Sequence, residues 1–139
     1  LVEKPDEPIY SVSPAAGSEG GLRDFDETAA QLSRGLVDFY KRIYGRGPVA
    51  AKTLLSPQVA VTVLHSVLTP SERTLIAGGK LAEIEQMRLR TAEVAKPRLI
   101  VLAEEALGEA VAASVTGIGV REDVATEAFF LAPGPGLAP

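Results

Sequence analysis

Ala29, Leu32, Leu36, Phe39 and Ile43 recur at spacings of three and four residues, which places them on one face of a helix. Asp24 or Asp26 is available as its N-cap. Gly45 follows directly and suits the left-handed residue just past a helix end. Lys41 and Arg42 in the last turn complement the negative end of the helix dipole. The pattern then changes period. "VAAKTLL" and "QVAVTVLHS" read as strands, with Val59, Val61 and Val63 alternating against Ala60, Thr62 and Leu64. Only Ser56-Pro57 lies between these strands, so they are expected to pair as an antiparallel hairpin.

A second helical region starts at "LTPSERTLIAGG". Thr69 is placed as N-cap, Pro70 at the first helical position and Glu72 at the capping-box position. Gly78-Gly79 is a breaking point, after which "KLAEIEQMRLRTAEVA" resumes with helix-favouring residues. Pro97 is expected to kink the chain or open a new segment. Leu99, Leu102, Ala103, Ala106 and Leu107 form the buried stripe of a last helix, which Gly108 ends. "EAVAASVTGIGV" and "VATEAFFLA" read as two further strands joined by a polar Arg121-Glu122-Asp123 turn. Phe129 and Phe130 project to opposite faces of the sheet, so one of them belongs to the core. The expected fold is a single α+β domain ordered helix–hairpin–helices–hairpin, a four-stranded and mainly antiparallel sheet with helices packed on one face.

Residues 1–21 mix Pro, Gly, Ser and acids without periodicity and are expected to form a flexible arm. Residues 132–139, "APGPGLAP", read as a Pro/Gly-rich disordered tail, which leaves 22–131 as the folded domain. A start on Leu1 reads as a fragment, a processed chain or an incomplete gene prediction.

Composition narrows the function. A net charge of −4 with a pI near 5.0 argues against general nucleic-acid binding, which depends on Lys and Arg neutralising phosphates. The absence of cysteine removes disulfides, thiolate metal sites and a cysteine nucleophile, and fits a cytoplasmic protein. No stretch approaches the roughly 20 apolar residues of a membrane span. The N-terminus carries Glu3, Lys4, Asp6 and Glu7 where a signal peptide would be apolar. The chain reads as soluble, and any membrane association would pass through a partner.

The candidate chemistry is sparse. Gly45-Arg46-Gly47-Pro48 lacks the Walker spacing and follows a helix rather than preceding one, so an anion there would meet the wrong dipole end. The preferred reading is a helix stop, with Gly45 and Gly47 shaping the turn and Pro48 setting the exit into a strand. Arg46 stays exposed between its glycines as a recognition residue. Arg73 and Arg88 lie in the helical region among glutamates, and such charges usually form a solvated face. The sharper reading has Arg46, Arg73 and Arg88 converging on an acidic partner or ligand, since Arg suits bidentate carboxylate recognition. His65 is the only histidine, without His or Cys to complete a metal site, and reads as a surface residue at a strand end. Ser71 sits in a helix first turn, where serine is common without being a nucleophile. No metal, cofactor or catalytic residue is expected.

Four stretches together resemble a known bacterial family: "YGRGP", "LTPSER", "QMRL" at Gln86 to Leu89, and "DVATEAFFL" at Asp123 to Leu131. Their order and spacing are similar to the small domain labelled MpsC, long described as a domain of unknown function, over about Asp26 to Leu131. Two features depart from that family: Pro97 in the long helical region, and Gly117-Ile118-Gly119 in a loop where polar residues are common. The resemblance implies association with a sodium-translocating system that generates membrane potential, and it brings no catalytic residues. The expected function is a non-enzymatic accessory or regulatory domain acting through protein contacts, as a homodimer or with membrane translocase subunits. An open sheet face that must be covered motivates the self-association. The alternative is a small-molecule or nucleotide-binding regulator using the Arg46 loop.

Overall fold

The computed structural model describes residues 12–14 and 22–133. The elements run β1 (Val12–Pro14), α1 (Leu22–Tyr44), β2 (Ala50–Leu55), β3 (Val59–His65), α2 (Pro70–Ala77), α3 (Leu81–Leu107), β4 (Val111–Gly119) and β5 (Val124–Leu131). The described residues form the expected α+β domain, with three helices and the antiparallel strands β2 to β5. Sheet order is β1-β2-β3-β5-β4, with β1 pairing parallel to β2 at one edge. That short strand corrects the reading of 1–21 as an arm, because Val12–Pro14 joins the sheet. Residues 1–11, 15–21 and 134–139, the rest of the expected arm and nearly all of the expected tail, lie outside the described residues.

The stripe on α1 does what its spacing requires. Ala29, Leu32 and Leu36 are fully buried and Phe39 nearly so, against Leu64 of β3 and Phe129 of β5 in one core. The helix ends where Gly45 takes φ +81° and its N–H donates to the Lys41 carbonyl at 2.8 Å. Its start differs from expectation: α1 begins at Leu22, so Asp24 and Asp26 lie inside the helix and neither caps it.

Thr69 caps α2 as the sequence indicates. Its Oγ1 accepts from the Glu72 N–H at 3.1 Å, while the Glu72 carboxylate accepts from the Thr69 N–H at 2.8 Å. Thr69→Ala is expected to cost about 1 kcal/mol in chemical denaturation, and Thr69→Ser to recover most of it.

Pro97 neither kinks α3 into two segments nor opens a new one; α3 runs unbroken through it. The lost N–H leaves a carbonyl one turn back, at exposed Glu93, where water can serve it. Buried Ile84 and Ala95 before the proline share a face with Leu99 and Ala103 after it, and this continuous stripe outweighs the local penalty. Gly108 then ends α3 at φ +70°, donating to the Glu104 carbonyl. Gly117 and Gly119 lie inside β4, not in a loop.

Helices α1 and α3 cover one face of the sheet. Across that face the paired residues Thr53, Thr62, Glu127 and Thr116 form a polar row over β2, β3, β5 and β4 in turn. The opposite face is uncovered by any described element, and Leu54, Val115 and Phe130 are exposed there.

Candidate functional site

The polar row and the helix ends above it form one linked assembly. Glu127 sits in the middle of β5 with 1% exposure, between Ala125 and Phe129 on the core side. Tyr40 of α1 donates its hydroxyl to Glu127 Oε2 at 2.7 Å, and Thr116 of β4 donates to Oε1 at 2.6 Å. Burial pushes the Glu127 carboxyl above its ordinary value, and these two hydroxyl donors only partly oppose it. Burial likewise pushes the Tyr40 phenol well up, reinforced by the Glu127 charge and hydrogen bond. Further along the row, Ser33, Thr53 and Thr62 hydroxyls link at 2.6 and 2.7 Å, all fully buried.

One turn after Tyr40, the Tyr44 ring lies 5.5 Å from the Tyr40 ring and directly under the Arg88 guanidinium, 3.6 Å from ring centroid to Cζ. Arg88 is 3% exposed and grips Glu72 with two bonds, Nε to Oε2 at 2.8 Å and Nη2 to Oε1 at 2.6 Å. Burial alone would raise the Glu72 carboxyl, but hydrogen bonds from Arg88 and from the Thr69 backbone N–H hold it below its usual value. The Arg88 charge is in turn stabilised by Glu72 against the opposing effect of burial.

Arg46, Arg73 and Arg88 do converge, and their common target is a loop of the chain itself, residues 66–68 between β3 and α2. Arg46 Nη1 donates to the carbonyls of Ser66 and Leu68, the latter at 3.1 Å. Arg88 Nη2 donates to the Val67 carbonyl at 2.8 Å. Arg73 reaches the loop indirectly: it pairs with Asp123 at 2.7 Å, and Asp123 Oδ1 accepts from the Leu68 N–H at 2.8 Å. Three successive carbonyls are thus held by two guanidinium groups. The loop needs this clamp because Ser66 and Asp123 both occupy the left-handed region, at φ 61° and 60°, with Ser66 N–H donating to the Asp123 carbonyl.

The turn residues serve the same end. Gly47 lies against α1, where an added Cβ would come within 3.3 Å of the Val37 carbonyl oxygen. Pro48 is buried, and the Val49 N–H then opens pairing with the His65 carbonyl. His65 and Ser71 are exposed and outside the assembly. The four stretches singled out in the sequence supply most of its members: Tyr44 and Arg46, then Thr69, Glu72 and Arg73, then Arg88, then Asp123 and Glu127. Sequence reasoning missed Tyr40, Thr116, Asp123 and Glu127. One signal for Glu127 was present, a lone acid at an inward position of an alternating apolar strand.

The arrangement is a committed clamp. Its hydrogen-bonding groups face one another except Arg88 Nη1, which is buried without a hydrogen-bond partner, and the described residues include no group of three His, Cys, Asp or Glu able to hold a metal ion. No helix of the described residues is long and apolar enough to cross a membrane. A family model described as the Na+-translocating membrane potential-generating system (MpsC) matches residues 26–133. Neither a curated protein nor a solved structure matches. The chain belongs to the MpsC family.

Proposed function

We propose that this MpsC domain is a non-enzymatic accessory domain that works through protein contacts, docking its open sheet face on a membrane subunit of a Na+-translocating system. The uncovered face carries this reading. Four strands about 4.8 Å apart and about seven residues long span roughly 400 Å², and an apolar patch in the range of about 300–600 Å² is often functional even on a monomer. Leu54, Val61, Ala128 and Val115 form one row across it with Phe130 beside them, and Lys52 is the one residue of fixed charge among the residues paired across it. The class of partner is proposed from the family's description. No described helix is long and apolar enough to cross a bilayer, which is compatible with docking from outside the membrane. Arg46, the residue a ligand-binding role would use, is already engaged by two backbone carbonyls, so the ligand-binding alternative gains no support.

Co-sedimentation tests the reading. The chain is expected to pellet with membranes containing its native translocase subunits, and to stay in solution with protein-free liposomes of the same lipids. Phe130→Lys, at an exposed position, is expected to reduce the pelleted fraction at least about tenfold, since a charge would be buried against the partner. Equal binding to bare liposomes, or unchanged pelleting of Phe130→Lys, would overturn the docking face.

A further inference from the structure

The two edges of the sheet are treated differently by the sequence. At one edge, β2 is covered by β1, a three-residue strand ending at Pro14, which has no N–H to offer another chain. At the other, the outer side of β4 ("VAASVTGIG") pairs with no strand among the described residues, and only its first N–H, at Val111, is taken, by the Glu104 carboxylate. Edge strands are ordinarily protected by a charge, a proline, a bulge or a covering element, because their free N–H and C=O groups recruit another strand. β4 has no charged residue and no proline, and its pairing irregularity is confined to its start, between Val111 and Ala113. The regular part, from Ala113 to Gly119, is a bare template.

A strand edge calls for a strand, and the flank of α3 indicates whose. Between α3 and β4 lies a hollow of about 330 Å³ bordered by Leu89, Ala92, Glu93 and Lys96 of α3 and by residues 114–116 of β4. Leu89 is half exposed on this flank, at 46%. Glu93 and Lys96 are both exposed, one turn apart near the middle of α3, and neither has an ion-pair partner among the described residues. We infer that β4 pairs antiparallel with β4 of a second copy of this chain, about a two-fold axis through the strand's midpoint at Val115. Such an axis, perpendicular to the sheet, keeps both helical layers on the same side and brings the two α3 flanks together in opposite directions. Glu93 of each copy then faces Lys96 of the other, Leu89 and Ala92 close over the hollow, and the sheet continues across ten strands. A flank with one acid and one base at the axis is self-complementary, which a flank of one charge sign would not be.

The dimer rests on the proposed function only for the premise that the domain acts through protein contacts. It needs no membrane subunit and leaves the open sheet face free. Sedimentation equilibrium on the purified full chain tests it. The chain is expected to be dimeric at about 100 µM, in the usual range for a modest interface. Lys96→Glu and Glu93→Lys each set like charges across the axis, and each is expected to raise the dissociation constant at least about tenfold. The double exchange Glu93→Lys/Lys96→Glu restores opposite pairs and is expected to recover dimerisation, which separates lost pairing from lost folding. Phe130→Lys is expected to leave the dimer intact. A monomer at 100 µM, a double exchange no better than either single, or a dimer broken by Phe130→Lys alone would each overturn the β4 pairing. A wild-type chain that is dimeric yet fails to pellet with the translocase membranes would instead overturn the proposed function alone.

Discussion

Replacing Arg88 with methionine is expected to lower the unfolding free energy by about 3–5 kcal/mol, the usual cost of leaving one partner of a buried ion pair behind. The size follows from what Arg88 holds. Its guanidinium makes two bonds to Glu72, one to the Val67 carbonyl, and covers the Tyr44 ring, all at 3% exposure. Methionine fills much the same space but leaves the Glu72 carboxylate buried with only the one bond from the Thr69 N–H. It also releases one of three carbonyls in a loop whose first residue is in the left-handed region. Urea denaturation of Arg88→Met, Glu72→Gln and the double variant forms a cycle, and the double is expected to recover part of the loss because no uncompensated charge remains. Arg88→Lys is expected to recover little, since an ammonium cannot reproduce the planar two-pronged grip. The pH dependence carries the same signature. In the wild type the Glu72 carboxyl lies below its ordinary 4.5, so its stabilisation is present above that pH and lost as pH falls through the lowered value. In Arg88→Met that acid-side loss should vanish or reverse. A cost under about 1 kcal/mol would mean that the loop is held mainly by Arg46 and Asp123.

What the sequence reveals here is what acts within a few residues. The stripe from Ala29 to Ile43, the Thr69–Glu72 capping box and the glycine ends of two helices are local patterns, and the structure reproduces them. Contacts set by topology are another matter. Arg88 and Glu72 are separated by 16 residues and a glycine break, and Tyr40 and Glu127 by 87 residues. No periodicity links such pairs until the sheet order is known. The arginines illustrate the limit: their convergence could be suspected from composition and spacing, while their target, three backbone carbonyls, leaves no trace in residue types. Pro97 misleads in the opposite direction, because a strong local rule yields to a buried stripe continuing on both sides of it. β1 escapes notice because three residues ending in proline, paired parallel to a distant strand, carry no alternation to read.

Glu127→Gln is expected to stabilise the fold at neutral and higher pH, an unusual result for a substitution in a core. The wild-type carboxyl is fully enclosed, and burial raises it above 4.5 even with Tyr40 and Thr116 donating to its two oxygens. A carboxyl raised in the folded state contributes most below the unfolded value, where both states hold the proton. That contribution is lost as pH rises through the raised folded value, because the native state must then ionise a buried group or hold its proton against solution. Glutamine keeps the shape, accepts from one hydroxyl and donates to the other, and never ionises. The expected gain is on the order of 1–3 kcal/mol at pH 8, the scale of a buried charge's desolvation that two hydrogen bonds only partly repay. Near pH 4 the two proteins should be equally stable. Glu72 titrates with the opposite sign in both proteins, so the difference between their stability–pH curves isolates residue 127. A glutamine variant less stable than wild type at pH 8 would show the reverse, that the charged form of Glu127 is what Tyr40 and Thr116 are arranged to hold. The polar row would then stabilise an anion at the centre of the sheet, and Tyr40→Phe should destabilise more as pH rises.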